Sequence, residues 1–184
     1  KLRFEISSFS SFEIFFILET ENRQMKTMTY DYLKEMIINN KIPASENLNE
    51  RTIAKELNIS TTPVKEALLR LELENHIQIF PRRGIYIKEV NLKLIKDVFQ
   101  ARMKLEPVLI ELTIQSMEKK LLLKNLLNLK KDFTDISRVK NLDVDIFDKV
   151  YESFRYFFTN NCNNLYLTKQ MNVVYDHLHR IRRS

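Results

Sequence analysis

Between residues 28 and 90 the spacing of apolar side chains sets out a series of short elements. Tyr32, Leu33, Met36 and Ile37 recur at helical spacing from Met28, and "NNKIP" ends that pattern at Pro43. Leu48, Ile53, Ala54 and Leu57 predict a second helix with one buried stripe, closing at Asn58. Only "NIS" separates it from a third, whose inner face is Val64, Ala67, Leu68 and Leu71. Ser60 stands where it can cap that helix, and Pro63 is tolerated in the first turn because the amide it lacks would have no partner there. The period then shortens to two in "IQIF" and "IYIK", which flank "PRRG" and place Gly84 where a hairpin needs a permissive backbone. Two helices joined by so tight a turn, with a helix before them and a hairpin after, predict a winged helix-turn-helix: three helices plus a β-hairpin wing.

From Asn91 onward the pattern is helical throughout, with helices expected at 92–117 (bent at Pro107), 119–138, 143–160 and 163–182. The fold class is therefore mainly α, a winged helix-turn-helix at 25–90 followed by an all-α helical-bundle domain at 91–184. Residues 1–24 cluster aromatics and serines without a sustained helical period. They read as an extension with no function of its own, from an upstream start ahead of Met25 or Met28; the alternative is an arm packing on the first helix. No repeat of 20 to 50 residues is present, so solenoid architectures are not expected.

Composition narrows the function. One glycine and four prolines in 184 residues, with 44% hydrophobic residues, fit a helical chain with a real core and short connections. The single Cys162 cannot form an internal disulfide and suits a reducing cytoplasm. "FEIFFIL" at 12–18 is too short to span a membrane and lacks a signal-peptide cleavage site. The sequence offers no glycine-rich phosphate loop, nucleophile elbow or metal-binding histidine cluster, so an enzyme is not expected. The formal charge of +6 points toward nucleic acid only weakly, because residues 25–90 carry 10 basic and 9 acidic groups while 91–184 carry 17 and 11.

The positions of particular side chains point to DNA more strongly. A helix-turn-helix inserts the first turn of its third helix into the major groove, so that turn must be small and able to hydrogen-bond. Ser60, Thr61 and Thr62 meet that need, and Lys65, one turn on and opposite Leu68 and Leu71, can reach a guanine edge or a phosphate. Arg51, near the start of the second helix, is placed to hold the DNA backbone; Arg82 and Arg83 at the hairpin tip can reach a phosphate or the minor groove. Taken singly, each has a plain alternative: an ordinary N-cap, a solvated face, a hairpin that closes the core. The conjunction of spacing, hydroxyl-rich turn and Arg-Arg-Gly tip points to double-stranded DNA.

"LNERTIAKELNISTTPVKEALLRLELENHIQIFPRRGIYI" resembles the DNA-binding domain of GntR-family bacterial transcription regulators, with "TPVKEAL" at the family's distance from both "ERTIAKEL" and "PRRG". The resemblance implies DNA contacts at Arg51, Ser60, Thr61, Thr62, Lys65 and Gly84. Thr61 and Lys65 replace arginines common in the family. An arginine fork grips guanine O6 and N7 together, whereas lysine is a point charge, so the family's usual operator is not implied.

Beyond the wing, "LIKDVFQARMKLEPVLIELT" resembles the opening helix of the FadR-like effector and dimerisation domain of one branch of this family, through Arg102, Glu106 and the apolar residues that follow. The resemblance implies a homodimer on a short inverted repeat, a small effector, and a domain that is C-terminally incomplete in this chain. That branch holds a metal through D-x-x-x-H on one helix. In "KVYESFRYFFTNNCNNLYL", aligned on Asn164, Tyr151 and Arg155 stand at those positions, and a protonated Arg repels a cation. No metal cofactor is expected, and His177 and His179, two apart on a helix, read as solvated or capping. Arg102 either pairs with a carboxylate effector or forms an intrahelical pair with Glu106, and Arg155 is a second candidate anion anchor. The leading expectation is a cytoplasmic, homodimeric transcription regulator that responds to a small metabolite, carboxylates included. The alternative is a helical protein–protein interaction module with a vestigial DNA-binding domain.

Overall fold

A computed structural model describes residues 11–44, 46–141 and 143–184, with side chains from Thr20 onward except at 21 and 22. The chain divides into two compact units, Lys1–Glu89 and Val90–Ser184.

The first unit contains α1 (Ser11–Ile38), β1 (Asn47–Leu48), α2 (Glu50–Glu56), α3 (Thr61–Leu73), β2 (Ile77–Phe80) and β3 (Gly84–Ile87). Its core joins Leu33 and Ile37 of α1 and Ile53 and Ala54 of α2 to Val64, Ala67, Leu68 and Leu71 of α3 and Ile77, Ile85 and Ile87 of the hairpin. The α3 stripe has the spacing that puts one helix face inward, and the four residues on it are at most 2% exposed. The strands form one antiparallel sheet in the order β1-β3-β2, with Gln78 opposite Tyr86 and Phe80 opposite Gly84.

The structure departs from the sequence pattern at two places. Leu48 belongs to strand β1, paired with Ile85, and not to the second helix; Asn49 caps that helix instead, its Oδ1 accepting from the amides of Arg51 and Thr52. The first helix does not begin near Met28: it runs unbroken from Ser11, so the part of the extension within 11–24 is helical backbone, while residues 1–10 lie outside the described residues.

A chain with one glycine must reverse direction by other means. Asn40, Asn58 and Asn75 follow the ends of α1, α2 and α3 with φ of 52°, 52° and 66°. Each end closes with the same pair of backbone bonds; after α3 the amide of Asn75 donates to Glu72 O at 2.9 Å and that of His76 to Leu71 O at 2.9 Å. This is the Schellman closure, with Asn in the left-handed position usually held by Gly.

The second unit is wholly helical among the described residues: α4 (Leu92–Ser116), α5 (Lys119–Ser137), α6 (Val144–Asn161) and α7 (Leu165–Arg182). Asn91, Asp143 and Asn164 cap α4, α6 and α7 through their side-chain oxygens. α4 packs on α6 and α7, and α5 on α6, around Val98, Leu109, Phe158, Met171 and Leu178. Thr113 is fully buried and ties α4 to α6, its hydroxyl lying 3.2 Å from Phe158 O.

Leu68 is completely buried where the first unit's elements meet. Leu68→Ala is expected to destabilise the protein by about 2–5 kcal/mol, from reduced burial plus the cavity left behind. Urea unfolding of the wild type and the variant measures the difference.

Candidate nucleic-acid interface

The inward turn of Val64, Ala67, Leu68 and Leu71 directs the opposite side of α3 to solvent, and Thr61, Thr62 and Lys65 are all exposed. Ser60 occupies the N-cap position with extended backbone (φ −73°, ψ 163°), but its side chain makes no capping hydrogen bond, contrary to the capping role expected of it. The hydroxyls of Ser60, Thr61 and Thr62 and the first-turn amides therefore face outward together at the positive end of the helix dipole, an arrangement suited to a phosphate or base edge. Glu66 is paired with Lys26 at 2.9 Å, which leaves Lys65 as the cation of this turn. Arg51 lies exposed in the first turn of α2.

At the wing, Phe80 to Arg83 form a tight turn closed by the Arg83 amide donating to Phe80 O at 3.0 Å. Pro81 takes the second place, and Arg82 the third with φ of 64°, the φ pattern of a type II turn. The permissive backbone is thus needed at two positions, Arg82 and Gly84 (φ 114°). The role visible for Gly84 is conformational, since a Cβ there would collide with the Asn47 side-chain amide. The Arg82 and Arg83 side chains are exposed at the tip.

Asn47, Tyr86 and Glu72 support this surface without having been recognised from the sequence. Asn47 Oδ1 accepts from the Ile85 amide at 3.1 Å while its Nδ2 lies 3.4 Å from Arg83 O. The Tyr86 hydroxyl donates to the same carbonyl at 3.0 Å, so two side chains hold the tip from one side. Glu72 ties the helix to the wing by accepting the Ile79 amide at 2.7 Å. Asn47 is 36 residues from Arg83 along the chain, and no local period could pair them.

In the second unit Arg102 Nε donates to Glu106 Oε1 at 2.8 Å, the intrahelical pair. Its guanidinium also stands 5.5 Å from the centre of the Tyr151 ring, and that of Arg155 5.7 Å from the same ring and 5.0 Å from Tyr175. Arg155 is buried and pairs with Glu152 at 3.3 Å, but its Nε has no hydrogen-bond partner within the described residues, nor has the buried Tyr151 hydroxyl. Burial pushes the Tyr151 phenol up, and burial together with Glu106 pushes Tyr175 up, so both stay protonated. His177 and His179 are expected to be solvated or capping; the solvated reading is overturned, since both are buried, at 4% and 7% exposure, where α7 turns its C-terminal half into the bundle. Burial lowers the pKa of His179 although Asp148 stands 3.6 Å away, and Arg182 takes Asp148 at 2.7 Å. Among the described residues no group of three His, Cys, Asp or Glu is arranged to hold a metal.

The first unit is a winged helix-turn-helix, and comparison with known proteins places it further. Residues 25–87 match the family described as "Bacterial regulatory proteins, gntR family". An uncharacterized HTH-type transcriptional regulator of Bacillus subtilis, YdhC, is 30% identical over 89 residues, 48% of this chain and 40% of that protein. The HTH-type transcriptional regulator McbR of Escherichia coli is 27% identical over 85 residues, 46% of this chain and 38% of McbR. These matches thus cover less than half of either relative. The solved structure of E. coli McbR/YncC shares the fold over 86% of this chain and 74% of that one, with a TM-score of 0.66 at 20% identity.

Lys65→Ala is expected to weaken binding to selected DNA by about 1–3 kcal/mol with the fold unchanged, since the side chain makes no interaction that the core needs. Titration of a selected duplex by fluorescence anisotropy measures it, and an unchanged affinity would remove Lys65 from the interface. Arg82→Ala and Arg83→Ala should weaken binding to all sequences alike and flatten the dependence of log K on log salt by about one unit for each phosphate that the side chain neutralises. Asn47→Ala should lower affinity in the same direction as the wing arginines by loosening the tip that carries them. A loss confined to one base sequence would show that the wing reads bases.

Proposed function

We propose that this chain is a sequence-specific transcription regulator that binds double-stranded DNA through the N-terminal end of α3, with the wing on the flanking backbone. The observation that carries the reading is the first turn of α3: three hydroxyl side chains and Lys65 stand exposed together, on a helix whose other face is fully buried. The gntR match at 25–87 and the regulators that share this segment support it.

The finer reading concerns the second unit. One winged helix makes few base contacts, and specific affinity normally comes from two half-sites read by a two-fold dimer. We assign dimerisation to residues 90–184, where Met103, Leu123, Leu127 and Tyr156 leave large apolar surface exposed. Within the same unit Arg155 Nε and the Tyr151 hydroxyl are buried donors without partners among the described residues, flanked by Arg102, and donors of that kind suit a small carboxylate. With Tyr151 and Arg155 in these places the reading requires no metal.

The test is selection of duplexes from a random pool by the purified chain, followed by sedimentation of the complex with and without small carboxylates. An inverted repeat bound by two chains, with affinity that changes when a carboxylate is present and no longer does so in Arg155→Met, is the expected outcome. A monodisperse monomer bound to a single half-site at nanomolar affinity in physiological salt would overturn the dimer. Absence of selection would overturn the regulator.

A further inference from the structure

α1 and α3 pack side by side with their chains running in the same direction. Lys26 pairs with Glu66, the Arg70 guanidinium covers the Tyr30 ring at 3.5 Å, and Lys34 reaches Glu74 at 3.6 Å, so each step of four along α1 is matched by a step of four along α3. On that register residue 21 stands level with Thr61, where α3 begins, and residues 11–20 continue the α1 helix beyond it. Ten residues at 1.5 Å each give an overhang of roughly 15 Å.

The overhang lies toward the end of α3 that enters DNA. Packed helices keep their axes about 8–10 Å apart and each is about 10–12 Å across, whereas the major groove is about 12 Å wide. The groove accommodates α3 alone, and the turns of α1 that run beside and past it meet the phosphate ridge. Their charge does not suit that neighbour: residues 11–24 hold Glu13, Glu19 and Glu21 against Arg23 alone, in a stretch otherwise rich in Phe, Ile and Leu. The contacts that hold α3 to α1 through Lys26, Tyr30, Leu33, Lys34 and Ile37 all lie C-terminal to these turns.

We propose that residues 11–24 form an autoinhibitory arm: while they continue α1 as a helix they bar α3 from the groove, and DNA binding requires that they unwind or bend away. This rests on α3 being the helix that enters DNA. If the barred form makes up about nine-tenths of the protein, apparent affinity is about tenfold below that of the free α3 surface.

Three proteins decide it: the full chain, the chain begun at Met25, and the full chain with Thr20→Pro, which keeps every charge but breaks the helix level with the start of α3. Thr20→Ala, which keeps the helix, is the control. Each is titrated by fluorescence anisotropy against one duplex selected with the Met25 chain, and helicity is followed by far-UV circular dichroism. The Met25 chain and Thr20→Pro are expected to bind about tenfold tighter than the full chain and Thr20→Ala. Equal affinity in all four, or weaker binding by the shortened chain, would sink the arm and leave the DNA-binding reading standing. Tighter binding by the Met25 chain without any gain from Thr20→Pro would also sink it, because charge and not the helix would then be the cause. Failure of every protein to select any duplex would remove the DNA-binding reading and the arm with it.

Discussion

The packing of α1 against α3 is the constraint from which the candidate nucleic-acid surface follows. A thirteen-residue helix such as α3 is marginal by itself in water, and its orientation here is imposed by the burial of Val64, Leu68 and Leu71 in one core with Leu33 and Ile37 of α1. A polar ladder runs along the edge of this contact. Lys34 donates to the Tyr30 hydroxyl at 2.8 Å, which donates to Glu74 at 2.5 Å, and burial followed by the Glu74 bond pushes the Tyr30 phenol up to about 12. Once α3 is held in this rotation, its hydroxyl-rich first turn and Lys65 have nowhere to point but outward. Glu72 then carries the placement on to the wing by holding the Ile79 amide, and Asn47 and Tyr86 carry it to the tip.

The same reliance on side-chain amides runs through the rest of the chain. Left-handed backbone costs an ordinary L residue about 1–2 kcal/mol, and Asn tolerates it better because its short polar side chain can bond locally. With a single glycine in the sequence, the closures after α1, α2, α3 and α6 fall to Asn40, Asn58, Asn75 and Asn163. After α6, Asn163 makes the turn and Asn164 immediately caps α7, its Oδ1 accepting the Leu167 amide at 3.0 Å. That two-residue junction sets α7 against α6 and α4, and so brings Tyr175 to Arg155 and His179 to Asp148 and Glu152.

The second unit combines an apolar core with a band of ionised and aromatic groups. Asp148, Glu152 and Arg155 on α6 meet His179, Arg182 and Arg183 from α7, while Arg102 and Glu106 come from α4. Burying this many charges is sustained by pairing and by the faces of Tyr151 and Tyr175 under the guanidinium groups. Such a band places a guanidinium group inside the bundle at the buried Arg155.

The winged helix was legible in the sequence because its signals are local. The 3.6-residue stripe of α3, the tight turn before it and the two-residue alternation around "PRRG" are each local; the structure keeps the stripe and the hairpin, and the turn spans the four residues 57–60, one more than the "NIS" read from the sequence. Every helix of the second unit was likewise visible from its own period, to within two residues at either end. What the sequence left undecided depends on partners distant along the chain. Leu48 reads as part of a helix stripe until β3 comes alongside it, and Asn47 reads as a loop residue until the wing tip reaches it. His177 and His179 read as solvated or capping on a single helix, and the packing of α7 buries them both. Period and capping residues determined which elements form and which of their faces are apolar. Only the tertiary structure decided which side chains meet across elements, because those meetings depend on the distance and rotation between helices, and no local repeat encodes either.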